Sequence, residues 1–428
     1  MKKKLLLFVF SLVLFAACSP AAADDSGDIV IRVASIYATD VPFDVFYRAR
    51  VEEFSQMDNG ITVVMENISF EVDYLDALRV AFAAGEPPHV FLEYGGSRIL
   101  DLIEANALVN LEPFFQQHPD WFNAFYTPMF NEAIFEGHPG IWGAPIGSYL
   151  VLLYYNRDLF NAHGLTPPAN FDELFYVSER FLEAGIRPFQ VGAMDIWRLG
   201  HFHTNVVLSS IGTDGMNRLA NRTLSYDSPE VLETFRIMEE MMDRGFFGVD
   251  ILSFDYNTEK AAFAAGDVAM RWDGTWYISE ILGTPIYDSV GVAAFPYVNP
   301  QFSTVSQGGA SEMWFVSSLN KSDAEIEAAI EFVRFMTNTE YFALANEAAP
   351  SIFPAAFTPT PYTPESRMLN EAITVLATRT DLGPDLQNPD PEPHMLHTVR
   401  NALQGLAMGN SAEDVAAQIV NSKQIPAN

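Results

Sequence analysis

The sequence predicts an α/β protein of two lobes, each a mostly parallel sheet flanked by helices, joined by short crossings of the chain. Three observations lead there. Runs of β-branched and apolar residues alternate with runs of helical periodicity, as a mostly parallel sheet with helices on its faces requires. About 410 residues remain once an N-terminal export signal is set aside, a length for two domains. No internal repeat and no long low-complexity linker separates the halves. With 49% hydrophobic and only 18% charged residues, the chain is equipped to bury a large core.

The elements begin with an address. Lys2, Lys3 and Lys4 form a positive start, and the apolar run from Leu5 to Ala17 ends in Ala16-Ala17-Cys18-Ser19, the layout of a secretory signal. At about thirteen residues the run falls short of the roughly 20 that a membrane-spanning helix needs. Cys18, the single cysteine, stands where bacterial lipoprotein signals carry the thiol that receives diacylglycerol, although Phe15 occupies a position that is usually Leu. Residues 1–17 are therefore expected to be removed and 18–27 to tether the folded body, which is anchored through Cys18 to the outer face of the cytoplasmic membrane. A lone cysteine rules out an intrachain disulfide and a cysteine zinc site.

The alternation in Ile29 to Ile36 predicts a first strand, and Phe43, Phe46, Tyr47, Val51 and Phe54 follow at helical spacing. Asn59-Gly60 marks a turn before a strand at Ile61 to Met65, and Leu75, Leu78 and Phe82 line a helix that stops at Gly85 ahead of Pro87 and Pro88. Val90 to Glu93 is a third strand. Leu150 to Tyr155 is an apolar strand, a helix covers Phe171 to Ala184, and Ser228-Pro229 opens another that runs to about Arg244. Ser322 and Glu325 form a capping box for a helix with Ile326, Ala329, Ile330, Val333 and Met336 on one face.

The formal charge of −31 repels phosphate backbones and anionic headgroups, which excludes nucleic acid as a partner. It suits solubility outside the cell, in a saline or alkaline habitat, better than a cation-binding role. Aromatic residues reach 13%, a surplus that hints at stacking surfaces for a ligand.

Several segments, in order, resemble the extracellular solute-binding proteins of ABC importers, in the branch that includes maltose-binding protein. They are Leu78, Ala83-Ala84-Gly85 and Pro88-His89-Val90-Phe91, with His89 where the family commonly has aspartate; then Gly140-Ile141-Trp142-Gly143-Ala144-Pro145 and Leu153-Tyr154-Tyr155-Asn156-Arg157-Asp158-Leu159-Phe160. Ala262-Phe263, Gly266, Ala269-Met270, Gly274-Thr275-Trp276, Gly291-Val292-Ala293 and Gly308-Gly309 with Trp314 continue the series. The resemblance implies a two-lobed fold of the periplasmic-binding-protein kind (type II). Its hinge of crossing strands would lie near Pro145, Phe295 and Phe315. The first lobe would comprise 28–144 with 296–315, the second 146–294 with 316–428. It further implies a monomer that carries a saccharide in the cleft to permease subunits, without cofactor or catalysis.

A sugar presents flat C–H faces and a rim of hydroxyls, so its site needs aromatic plates and a few carboxylates, amides or arginines. Trp276 matches the family's cleft tryptophan, whose ring stacks on sugar in related binders. Asp273 and Trp272 stand beside it as an acceptor and a second plate. Trp197 and Asp195 occupy a loop that follows a strand. Tyr37, Glu93 and Tyr94 lie at the carboxyl ends of predicted strands, where crevices of open α/β sheets form. Ser148 and Tyr149 flank one proposed crossing, and Glu312 with Trp314 another.

Other chemistries leave weaker traces. A secreted glycoside hydrolase needs two carboxyls about 5 to 10 Å apart, which a chain rich in acids does not exclude, but no hydrolase motif is present. Gly309-Ala310-Ser311 begins like a nucleophile elbow, yet Met313 replaces the second glycine. His201 with His203, and His394 with His397, lack a third ligand for zinc. A peptide, polyamine or metal remains the competing class of ligand, with Asp195, Glu93 and Asp273 as the carboxylates that a polyamine or cation would use.

Overall fold

The computed structural model describes residues 28–69, 71–353, 367–386, 388–392 and 394–422. The expected signal peptide, tether and Cys18 lie outside the described residues.

Two sheets carry the two lobes. The first contains β1 (Ile29–Ser35), β2 (Ile61–Asn67), β3 (Val90–Tyr94), β4 (Ala144–Pro145) and, much later in the chain, β9 (Glu312–Val316), in the order β2-β1-β3-β9-β4. The second contains β5 (Ser148–Asn156), β6 (Met270–Gly274), β7 (Val290–Ala294), β8 (Val305–Ala310) and β10 (Asp381–Gly383), with β10-β8-β5-β6 in line and β7 also paired to β5. β1 runs parallel to β2 and β3, but β9 is antiparallel to both β3 and β4. β5 is antiparallel to β6, β7 and β8, and only β8 and β10 pair in parallel. Both sheets are therefore mixed rather than mostly parallel. Alternating strands and helices announce an α/β fold, whereas the direction of a strand entering from the other lobe depends on where the chain crosses.

β5 shows how the sequence builds the second lobe. Its apolar run is buried on both faces, and the two-residue period of a strand sends Tyr149, Val151 and Leu153 into one core and Leu150, Leu152 and Tyr154 into another. In the first lobe, Ile31 and Val33 of β1, Val90 and Phe91 of β3 and Trp314 of β9 share one core with the helix Pro42–Ser55. The capping box read at Ser322 is present: Ser322 Oγ accepts from the Glu325 amide at 3.3 Å, and Glu325 Oε2 accepts from the Ser322 amide at 2.8 Å.

The lobe boundaries differ from those expected. β8, placed at 296–315 in the first lobe, pairs with β5 and β10 in the second, and β7 precedes it there. No crossing occurs near Phe295, which is buried in the second core. Conversely, the helices Asp323–Phe335 and Thr339–Ala348, expected in the second lobe, pack on the first: Ala329, Phe332, Val333, Phe342 and Ala345 join the core of β1 and β9. The short link from β9 to Ser322 explains this, because consecutive elements with short connections stay adjacent.

Besides its return to the second lobe between the helices Thr339–Ala348 and Arg367–Leu376, the chain crosses at two adjacent places, between β4 and β5 and between β8 and β9. The crossings are bonded to each other: the amides of Ile146 and Gly147 donate to the Glu312 carbonyl at 2.9 and 3.3 Å, and the Ser311 amide donates to the Gly147 carbonyl at 3.0 Å. Gly147 is needed for this approach, since a Cβ there would stand 2.2 Å from Ser311 Oγ.

Candidate functional site

The crossings form the floor of a cleft between the lobes, and Trp276 overhangs it from the end of β6. A Cβ on Gly274 would lie 1.9 Å from the Trp276 ring, so glycine lets the indole fold back flat over the strand end. Its Nε1 donates to Tyr256 Oη at 2.9 Å, and Tyr256 Oη donates to Asp273 Oδ2 at 3.0 Å. Tyr256 opens the helix Tyr256–Ala264, where the Asp255 side chain accepts from the Thr258 amide at 2.7 Å.

Behind this relay lies a buried network of charges. Asp273 accepts from Arg271 Nε at 2.9 Å and sits 3.7 Å from Arg198 Nη1. Glu259 accepts from Arg198 Nε at 2.9 Å and faces Arg271 Nη1 at 2.9 Å. Burial alone would raise the Asp273 pKa, but Arg271 and then Arg198 hold it below the usual carboxylate value. The quartet anchors the relay that orients Trp276.

Aromatic rings surround the indole. Trp197, first residue of the helix Trp197–Ala220, lies 4.9 Å from Tyr256 and 6.5 Å from Trp276 between ring centroids, and His201, one turn on, lies 4.9 Å from Trp197. Tyr149 approaches Trp276 at 5.8 Å. From the first lobe, Arg98 lays its guanidinium 4.5 Å from the Tyr94 ring and donates to Glu93 Oε1 at 3.3 Å.

The loop after β10 supplies the remaining wall. Asp385 Oδ1 accepts from Thr204 Oγ1 at 2.8 Å, Arg400 donates to Oδ2, and His201 Nε2 stands 3.6 Å from Oδ2. Burial opposes ionisation of Asp385, yet Arg400 beside it holds the carboxyl far below the ordinary range. Burial pushes His201 down to about 4, which leaves a neutral imidazole, one nitrogen a donor and the other an acceptor.

These side chains enclose an inner chamber of about 250 Å³, lined among others by Tyr94, Arg98, Trp197, His201, Asp385 and Arg400. An outer chamber of about 490 Å³ includes Tyr37, Thr39, Phe43, Ser148, Lys260 and Glu280 in its lining. Ile36, Tyr256, Trp276, Ser311 and Glu312 line both.

Comparison with known proteins fits this two-lobed cleft. The sequence profile of the bacterial extracellular solute-binding proteins matches residues 41–341. The chain belongs to that family. This solute-binding protein is 22% identical over 349 residues to the multiple sugar-binding protein of Streptococcus mutans, a match spanning 76% of this chain and 75% of that one. It is 21% identical over 350 residues to an ABC transporter extracellular-binding protein of Pyrococcus horikoshii, spanning 81% and 76% of the two chains. In fold it superposes on a chitin oligosaccharide binding protein with a TM-score of 0.84 at 22% identity, over 92% of this chain and 98% of that one. The family is one of substrate binders rather than catalysts.

Of the residues expected in the site of this solute-binding protein, Trp276, Trp197, Tyr149, Tyr94 and Glu312 line the inner chamber, and Tyr37 and Ser148 the outer one. Ser148 Oγ also donates to the Ile352 carbonyl at 2.9 Å. Five expected residues lie elsewhere. Asp273 is sealed within the charge quartet, at 1% exposure. Trp272, on the opposite face of β6, packs against Phe202 and Phe189 in the second core, and Trp314 stacks on Tyr47 in the first. Glu93 is buried behind Tyr94 and Arg98. Asp195 caps a helix instead, accepting from the Tyr256 amide at 2.7 Å.

Tyr256, Arg98, Asp385, Asn388 and Arg400 were not expected in the cleft. The loop Gly383-Pro384-Asp385 carried a turn signal only. His201 was considered solely as a metal ligand. Its neighbour His203 is buried, its ring stacked 4.5 Å from Phe235 and its Nε2 bonded to Thr234 Oγ1 at 2.9 Å. Among the described residues no three His, Cys, Asp or Glu side chains gather as a metal site requires, and no helix is long and apolar enough to cross a membrane.

Proposed function

We propose that this protein captures a carbohydrate, a sugar or oligosaccharide, in the interlobe cleft and delivers it to the permease subunits of an ABC importer. One observation supports this most: aromatic plates stand beside charges that the protein neutralises internally. Trp276, Trp197 and Tyr149 offer faces for C–H surfaces. Asp385 is matched by Arg400, Glu93 by Arg98, and His201 is uncharged. A phosphate group would call for surplus positive charge, and a polyamine for several surplus carboxylates. The inner chamber has paired charges and hydrogen-bonding groups, which suit the hydroxyls of a neutral polyol. Glu312, at the crossing, adds one carboxylate acceptor.

In the same reading, the mature chain is exported, acylated on Cys18 and held as a monomer at the outer face of the cytoplasmic membrane. The binding claim is tested by thermal shift and titration calorimetry with mono-, di- and oligosaccharides. Amino acids, spermidine, sn-glycerol 3-phosphate and divalent metals serve as controls. A ligand of the folded state present at a hundred times its Kd raises stability by about 2.7 kcal/mol. The expected result is a response to a saccharide that Trp276→Ala removes. A response confined to the controls overturns the carbohydrate, and consumption of the saccharide during the assay overturns binding without turnover.

A further inference from the structure

Besides the crossings, the lobes touch at a seam that carries a carboxyl group. The Ser97 amide, in the turn after β3, donates to the Asn388 carbonyl of the second lobe at 2.9 Å. Glu132, in the turn Thr127–Ala133 of the first lobe, lies beside this bond, its Oε2 accepting from Asn388 Nδ2 at 3.5 Å. The packing is close: a Cβ on Gly96 would meet the Asn388 carbonyl oxygen at 2.6 Å and Glu132 Oε2 at 2.9 Å. Among the described residues the long bond to Asn388 is the only one the Glu132 carboxyl makes, and no cation forms an ion pair with it. A carboxylate so poorly provided is costly to keep charged. The groups around it do little to help. Arg98 attracts the charge but is bonded to Glu93, and Asp385, across the seam and paired with Arg400, repels it. Tyr149 faces it with a phenol that burial keeps protonated, and β4 and β8, which also pack on the turn, carry no titratable side chain. Burial therefore pushes the Glu132 pKa up to about 7. Asn388 in turn is buried, and its Oδ1 lacks a donor among the described residues. A protonated carboxyl pairs with a primary amide through two bonds, accepting from its N–H and donating to its oxygen; an ionised one makes only the first.

We propose that this seam is a proton-controlled latch: a proton on Glu132 completes an acid–amide pair with Asn388 and holds the lobes together, and its loss lets them part more readily. With the lobes apart the carboxyl is hydrated and ionises at its ordinary value near 4.5, whereas at the seam it ionises near 7. Closure therefore takes up a proton between these two values. The latch is fully effective below about 4.5, weakens as the pH rises to about 7, and changes no further above that. Within the window the ratio of closed to open molecules falls by up to about tenfold per pH unit. Glu132 also borders a cavity of about 670 Å³ between the lobes, a route by which the proton reaches it. The device does not depend on which solute the cleft takes: any solute retained by closure is released more readily at neutral and alkaline pH than in acid.

The test is hydrogen exchange at the Ser97 amide of the ligand-free protein, followed by NMR from pH 5 to 8 and corrected for the intrinsic pH dependence of exchange. The Ser317 amide, bonded to the His89 carbonyl at 2.9 Å within the first lobe, is the reference. Protection of Ser97 relative to Ser317 falls by about tenfold or more between pH 5 and 7 and levels off between 7 and 8. Glu132→Gln, which pairs with Asn388 without titrating, keeps the protection near its pH 5 value throughout. Asn388→Ala, which spares the backbone bond to Ser97 but removes the amide partner, lowers protection at pH 5 towards the value at pH 8. Equal protection of Ser97 at pH 5 and pH 8 overturns the proposal. So does a Ser97 amide unprotected at every pH, or a pH dependence that Glu132→Gln retains. Loss of protection at Ser317 identifies a variant that has unfolded, and the parent profile then decides alone. Failure on any of these counts leaves the carbohydrate reading intact.

Discussion

Asp273→Asn separates two roles for the carboxylate at the end of β6. As a ligand acceptor its loss would weaken binding and spare stability; as a buried counter-ion it would do the reverse. The side chain has no solvent exposure, and its oxygens meet Arg271, the Gly274 amide at 2.9 Å, Tyr256 Oη at 3.0 Å and Arg198 at 3.7 Å. The amide leaves the guanidiniums of Arg198 and Arg271 sharing Glu259 as their carboxylate in a fully buried site. Removing one member of a buried ion pair costs about 3–5 kcal/mol. At about 2–4 °C per kcal/mol for a unit of 150–250 residues, the Tm falls by about 6–20 °C. Saccharide affinity, measured where the variant is folded, weakens by less than about tenfold, because the Asn carbonyl still accepts from Tyr256. Differential scanning calorimetry paired with titration calorimetry decides it. Abolished binding with a Tm within about 2 °C of the parent would refute the reasoning.

Three further outcomes follow from the same geometry. Tyr256→Phe removes the acceptor for Trp276 Nε1; we expect a stability loss of about 0.5–1.5 kcal/mol, severalfold weaker saccharide binding and altered tryptophan emission. Gly274→Ala drives the indole off its seat and abolishes saccharide binding, read by calorimetry, while circular dichroism retains the folded signature. Glu132 governs a pH response: burial pushes its pKa up to about 7 despite Asn388 and Arg98, with Asp385 adding to the rise. The folded state holds a proton that the unfolded chain releases near 4.5, so stability contributed by this group falls as pH rises from about 4.5 to 7, at up to about 1.4 kcal/mol per unit. Denaturant titrations across that window yield a flatter profile for Glu132→Gln.

The parts of the fold written in local patterns were legible. Residues 29–36 read as a strand and form one, and Ser322 with Glu325 read as a capping box and make both bonds. The family was legible from the order of its motifs. What local pattern does not carry is which face of an element meets which core. Trp272 and Asp273 are neighbours on β6, and the two-residue period sends the tryptophan into the aromatic core and the carboxylate to the arginines, both away from the cleft that Trp276 reaches. Trp314 was misread for the same reason: its strand borders the cleft, but its side chain stacks beneath the sheet on Tyr47. Asp385 and Asn388 were invisible because a loop has no period, and their partners Thr204, Ser97 and Glu132 are brought to them only by tertiary folding. Arg98 and Arg400 stand in no sequence motif that would single them out.

The pairing of the two crossings bears on the order in which a ligand is engaged. In any rotation of one lobe against the other, points on the axis travel least and points on the rims travel most. Ser311 and Glu312 are at once crossing residues and chamber walls, bonded to Ile146 and Gly147 of the companion crossing. A rotation about that axis would leave them nearly in place, so an arriving solute would meet them in their final geometry. Arg98 and Asp385, carried on opposite lobes, would complete their contacts only as such an angle narrowed. With such a rotation, changes at Glu312 are expected to act first on the association rate and changes at Arg98 or Asp385 on the dissociation rate, which stopped-flow measurement of ligand binding checks.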